Sequence, residues 1–131
     1  MTGKVKILIV EDEMPLALLM VHLLAQADCE TEVATTRKKA MQLAEEEKFD
    51  LITLDVDLRD GSGFEIYSEL KQRHLSRHTP IIFISGRPHE EDMRRGLELG
   101  AVDYITKPFE TFEFASRLLS HIKTHARLCV T

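Results

Sequence analysis

Cysteine is scarce in this sequence. Its 131 residues hold two, Cys29 and Cys129. Their wide separation matches no zinc or redox spacing, so a disulfide or metal-stapled framework is excluded and both read as reduced thiols of a cytosolic protein. Long apolar runs are missing too: nothing approaches the roughly 20 consecutive apolar residues of a membrane span. The apolar stretch Val5–Val10 is too short for a signal peptide, and the Glu11-Asp12-Glu13 behind it is wrong for a cleavage site. Nor is there a surplus of positive charge. With 17 basic against 22 acidic residues the net charge is −5, which gives no clustered basic face for nucleic-acid binding. The adjacent Arg94 and Arg95 read as a solvated helix face. Repeats, linkers and low-complexity segments are absent. One domain over residues 1–131, with a core from about 4 to 127, is the expectation, located in the cytoplasm with no membrane contact.

What is present is ordinary for a soluble globular chain: 44% hydrophobic and 30% charged residues, too apolar for disorder and long enough to bury a core unaided. Apolar runs alternate with helical patterns. Val5–Val10, Glu30–Ala34, Leu51–Leu54, Ile81–Ile84 and Ala101–Ile105 read as strands. Between and after them come five helices. The first opens at Pro15 and turns Leu16, Leu19, Met20, Leu23 and Leu24 inward; Asp12 is placed to cap it. The second starts at Thr36, buries Ala40, Leu43 and Ala44, and ends in a solvated Glu45–Lys48 tail. The third covers about Phe64–Arg73. The fourth, Glu90–Leu99, is weakly apolar with Met93 and Leu97 as anchors and Gly100 as its C-cap. The last runs from Glu110 to about Arg127. Strand–helix alternation implies an α/β fold with a mostly parallel sheet covered on both faces. Ligands of such folds sit beyond the carboxyl ends of the strands, where strand order reverses.

Glu11-Asp12-Glu13 follows the first strand, Asp55 the third, Ser85 the fourth and Lys107, after one Thr, the fifth. If the first and third strands are neighbours, Glu11, Asp12 and Asp55 converge. Clustered carboxylates repel and raise one another's pKa. A hard divalent cation such as Mg²⁺ removes that cost and aligns phosphoryl oxygens. One carboxylate with a free oxygen can attack phosphorus to give an acyl phosphate, while Ser85 and Lys107 hold the remaining oxygens. Any one of these residues alone reads as a cap or a turn; all of them at one sheet edge do not.

The motifs KILIVEDE, LITLDVDLRDGSGFE, PIIFISG and DYITKPF, in that order and spacing, resemble the receiver domain of two-component response regulators from about Lys4 to Arg127. The resemblance implies a flavodoxin-like, doubly wound sheet of order 2-1-3-4-5 with five helices. It implies Asp55 as phosphoacceptor, and Mg²⁺ held by Asp12, Asp55, the backbone carbonyl of Asp57 and, through water, Glu11. Ser85 becomes the switch hydroxyl, Lys107 the partner of the phosphoryl group, and Tyr104 the aromatic that follows Ser85. Gly63 stands at the family's glycine, and Lys107–Pro108 would be cis. The implied donor is a histidine kinase or histidine phosphotransfer protein. The implied readout is a changed surface of fourth helix, fifth strand and fifth helix, recognised by a protein target or an output domain, or joining two phosphorylated copies. The role is a signalling switch, with enzymatic character limited to its own phosphorylation and dephosphorylation. Departures from the usual pattern are Arg59 in place of a common proline, Gly86 in place of a common alanine, and Asp57 with Arg87 flanking the site as modulators of phosphoryl lifetime.

Two rival readings fit parts of the sequence. Asp55-Val56-Asp57 resembles the DxD of haloacid-dehalogenase-like phosphatases, but there the DxD strand comes first and the further acidic pair last. A non-phosphorylated pseudo-receiver binding module conflicts with intact Asp12, Asp55, Ser85 and Lys107. On the last helix, His121 and His125 read as solvated, and Phe114 with Leu118, on a different stripe from Phe112, Ala115, Leu119 and Ile122, read either as extra apolar surface for dimerisation or a partner, or as packing on the fourth helix.

Overall fold

A computed structural model of the chain describes residues 4–75, 77–86 and 89–129. Five strands form its main sheet: β1 (Lys6–Val10), β2 (Glu30–Ala34), β3 (Leu51–Asp55), β4 (Ile81–Ser85) and β5 (Asp103–Thr106). Five helices accompany them: α1 (Met14–Gln26), α2 (Arg37–Glu46), α3 (Gly63–Gln72), α4 (Glu90–Leu99) and α5 (Thr111–Cys129). The strands are all parallel in the order β2-β1-β3-β4-β5, the doubly wound arrangement that the alternation and the resemblance imply. From β1 the chain winds one way to β2 and then back across to β3, so the order reverses between β1 and β3.

Alternation along each strand feeds two cores. On one face Ile7, Ile9, Ile82, Ile84 and Ile105 pack with Met20 and Leu24 of α1 and Phe114 and Leu118 of α5. On the other, Leu8, Val10, Ile52 and Leu54 meet α2 and α3, and Phe83 sits among the rings of Phe64, Tyr67 and Tyr104. In the middle strand, Thr53 stands in register with Ile9 and Ile82 and is buried, and its hydroxyl has no hydrogen-bond partner. An unpaired buried hydroxyl is destabilising, so Thr53→Val should raise stability by about 1 kcal/mol. A urea midpoint that fails to rise would show the hydroxyl to be bonded.

Local chemistry sets the helix ends. Thr36 Oγ1 accepts the Lys39 N–H at the start of α2. Ser62 and Glu65 form a reciprocal capping box on α3. Gly100 takes a left-handed φ of 119° at the end of α4, and the Ala101 N–H returns to the Gly96 carbonyl. That bond uses Ala101 to close the helix, which is why β5 begins at Asp103 rather than Ala101.

Several helix faces differ from the pattern reading. In α1 the buried stripe is Ala17, Met20 and Leu24, while Leu19 is exposed. In α4 Leu97 is 48% exposed; the buried residue is Gly96, where a Cβ would come within 2.8 Å of the Phe83 ring. Absence of a side chain at Gly96, together with Met93 packed against the core as the pattern implies, lets α4 lie against the sheet. In α5 Phe114 and Leu118 are core, and Phe112, 79% exposed, is the surface residue. The Glu45–Lys48 tail is tied down in part, with Glu47 paired to Lys6 and Glu45 to Arg73. His121 is half-buried against Asp103 Oδ2 at 2.8 Å, beside the paired Arg117 Nε and Nη2 at 2.7 and 2.8 Å. Burial opposes ionisation of Asp103, but Arg117, His121 and the Tyr104 N–H outweigh it and hold its pKa below the usual carboxylate value.

Candidate functional site

The carboxyl ends of β1 and β3 bring three carboxylates together. Glu11 follows β1 directly, and its N–H continues the ladder to the Ala34 carbonyl at 3.0 Å. Its side chain is 1% exposed. Oε2 accepts the Glu13 N–H at 3.1 Å, which fixes the carboxylate under the turn. Asp55, also buried, ends β3; its Oδ1 accepts the Asp57 N–H at 3.0 Å. Asp12 does not cap α1, whose N-cap is Glu13 without a side-chain bond; its Oδ2 accepts the Arg59 N–H at 2.8 Å instead. One oxygen from each of Glu11, Asp12 and Asp55 lies within 4.8 Å of the other two. Three hard oxygen donors so close together, two of them buried, are the donor set that suits Mg²⁺.

Lys107 closes the cluster from β5. Its N–H binds the Ser85 carbonyl at 2.8 Å, and the Lys107–Pro108 peptide is cis. The ammonium stands 3.1 Å from Glu11 Oε1, 3.2 Å from Asp55 Oδ2 and 3.8 Å from Glu13 Oε1. Burial acts to lower its pKa, yet Asp55 and Glu11 prevail and raise it. One ammonium among these carboxylates leaves a surplus of negative charge. Glu11 registers that surplus: burial first, then its Asp55 neighbour, push it from 4.5 up to about 7, against the pull of Lys107.

Ser85, at the end of β4, is fully buried, with Oγ 3.4 Å from Asp57 Oδ2. Tyr104 is buried, its ring 6.4 Å from that of Phe83. Gly63 starts α3 directly over the Asp55 backbone, where an added Cβ would lie 2.5 Å from the Asp55 carbonyl oxygen. Asp57–Leu58 and Gly61–Ser62 form a two-rung antiparallel hairpin after Asp55. Pattern reading made this segment only a turn. It also missed Asp60, whose Oδ2 accepts the Arg37 N–H of α2 at 2.8 Å and so caps a helix 23 residues away. Arg87 lies outside the described residues.

The profile of the response regulator receiver domain matches residues 7–119. The chain therefore belongs to the response regulator receiver domain family. It is 39% identical over 113 residues to the phosphate regulon transcriptional regulatory protein PhoB of Escherichia coli (strain K12), covering 86% of this chain and 49% of that one. The chain thus spans about half the length of the curated relatives it matches. Among solved structures, the non-phosphorylated HemR receiver domain of Leptospira biflexa is 34% identical with a TM-score of 0.83, covering 91% of this chain and 94% of the other. A CheY-like receiver domain protein from Methanospirillum hungatei JF-1 is 25% identical with a TM-score of 0.87, over 95% and 98% of the two chains. Among the described residues no helix is long and apolar enough to cross a membrane.

Proposed function

We propose that this receiver domain is switched by transfer of a phosphoryl group to Asp55 from a phosphohistidine on a histidine kinase or phosphotransfer protein. The observation that carries the reading is the Asp55 carboxylate set 3.2 Å from the Lys107 ammonium, inside the cluster with Glu11 and Asp12. An Asp55 oxygen attacks phosphorus, the P–N bond to the donor imidazole breaks, and an acyl phosphate forms. Lys107 then pairs with a phosphoryl oxygen, and the Ser85 hydroxyl, at the neighbouring strand end, donates to another. Asp12 and Asp55 with the backbone carbonyl of Asp57, and Glu11 through water, would hold Mg²⁺, which would supply neutralisation and alignment of the phosphoryl oxygens. Asp57 and Arg87 tune the lifetime of the acyl phosphate.

The readout is a population shift on the face formed by α4, β5 and α5. Tyr104 already lies at 4% exposure, beside the Phe83 ring and close to the bare backbone of Gly96. Engagement of Ser85 by the phosphoryl group stabilises that buried position. An output domain, a separate protein target or a second phosphorylated copy reads the face. The cytoplasm is the compartment where such a donor and target meet.

Intact-mass measurement after incubation with Mg²⁺ and acetyl phosphate tests this. Wild type should gain one phosphoryl mass, and Asp55→Asn or a chelator should abolish it. An adduct that survives in Asp55→Asn would place the chemistry elsewhere.

A further inference from the structure

Lys107 serves Glu11, Asp55 and Glu13. Asp12 is served from another direction, and by a single residue acting in two ways. The Arg59 backbone N–H donates to Asp12 Oδ2 at 2.8 Å, and the Arg59 guanidinium Nε stands 4.0 Å from the same oxygen. The two contacts differ in kind. The first is a short bond from the turn of the hairpin, whose next residue, Asp60, is itself bonded to α2. The second comes from a side chain 88% exposed, beside a carboxylate only 10% exposed. Proline has no N–H to donate, so a proline at this position would remove both contacts together.

We propose that Arg59 sets the cation affinity of this site by two opposing actions. Its N–H holds Asp12 by one oxygen and orients the carboxylate. Its guanidinium is a tethered positive charge that competes with a divalent cation for the same carboxylate. This rests on the cation-site reading above, and it makes Arg59 a positioning residue that brings its own competitor. An exposed unit charge several ångström from a doubly charged ion is worth roughly a threefold change in affinity at physiological ionic strength, and the effect fades as salt screens it.

Titration calorimetry with Mg²⁺ and no phosphodonor separates the two actions. Arg59→Gln keeps the N–H and loses the charge; it should bind Mg²⁺ about threefold more tightly, with the gain closing towards about 1 M salt. Arg59→Lys should behave as wild type. Arg59→Pro loses charge and donor together and should gain less than Arg59→Gln. Equal affinity of Arg59→Gln and wild type, or a gain indifferent to salt, overturns the proposal. Asp12→Asn tells the two levels apart. If it abolishes binding while Arg59→Gln changes nothing, the role of Arg59 fails and the cation site stands. If Asp12→Asn binds Mg²⁺ like wild type, the cation site fails, and the proposal with it.

Discussion

Replacing Glu11 by Gln should stabilise the cation-free domain by roughly 3 kcal/mol at about pH 8 and by almost nothing at about pH 4. Folding moves Glu11 from 4.5 to about 7. Between those values the folded state binds more protons than the unfolded one, so stability falls as pH rises through the window and levels off above 7. The cost lies in an ionised carboxylate buried beside Asp55, only partly met by Lys107 at 3.1 Å. A neutral amide of the same shape avoids it. Magnesium should invert the ranking, since a ligand that binds only the folded state stabilises it and Glu11 is part of the donor set. Urea unfolding at both pH values, with chelator and with saturating Mg²⁺, reads all four conditions. A Gln variant whose advantage does not change with pH would remove the electrostatic account.

The second large effect belongs to Gly63. An alanine there places its Cβ 2.5 Å from the Asp55 carbonyl oxygen and 3.0 Å from the carbonyl carbon. Both atoms are backbone, so no side chain can swing away. Either α3 slides outward, breaking the Gly63 N–H bond to the Val56 carbonyl at 3.2 Å, or the end of β3 moves and takes the Asp55 carboxylate with it. We expect a loss of about 3 kcal/mol. Gly86→Ala is the internal control: its Cβ would meet nothing within 4 Å and its φ is not left-handed. Its effect should stay within about 0.5 kcal/mol. Equal costs at the two glycines would show that close approach to Asp55 is not what Gly63 provides.

The parallel sheet and the set of residues at its carboxyl edge were legible because they depend on period and position, while the strand order that brings Glu11, Asp12 and Asp55 together is what the resemblance of the motifs implies. Five apolar runs alternating with helical segments leave few ways to wind a parallel sheet, and residues just past the strands must then share an edge. Helix faces were less legible. In α1 several leucines compete for the inward stripe, and the structure buries Ala17 fully while leaving Leu19 exposed. In α4 the period count rewards Leu97 as well as Met93, while the closest approach to Phe83 is made by a residue with no side chain. Phe112 and Phe114 are two positions apart, and composition alone does not say which one turns in. Bonds that use main-chain donors left no trace: the Arg59 N–H on Asp12 and the Asp60 cap on α2 depend on the path of a hairpin, not on residue type. The half-buried His121 was invisible for a related reason, because its partner Asp103 lies on a strand 18 residues earlier.

The Asp103 clasp bears on how the molecule behaves at high concentration. A five-stranded open sheet has two outer strands, β2 and β5, each with one rim that, among the described residues, faces no neighbouring strand and on which foreign strands can grow. On β5 that rim is four residues long, and it begins at a half-buried aspartate already committed to Arg117 and His121. On β2, Glu30 and Glu32 put negative charge along the other rim. A strand arriving at either side must desolvate or displace these groups before it gains a ladder. Sheet growth into fibres is thereby discouraged at both ends.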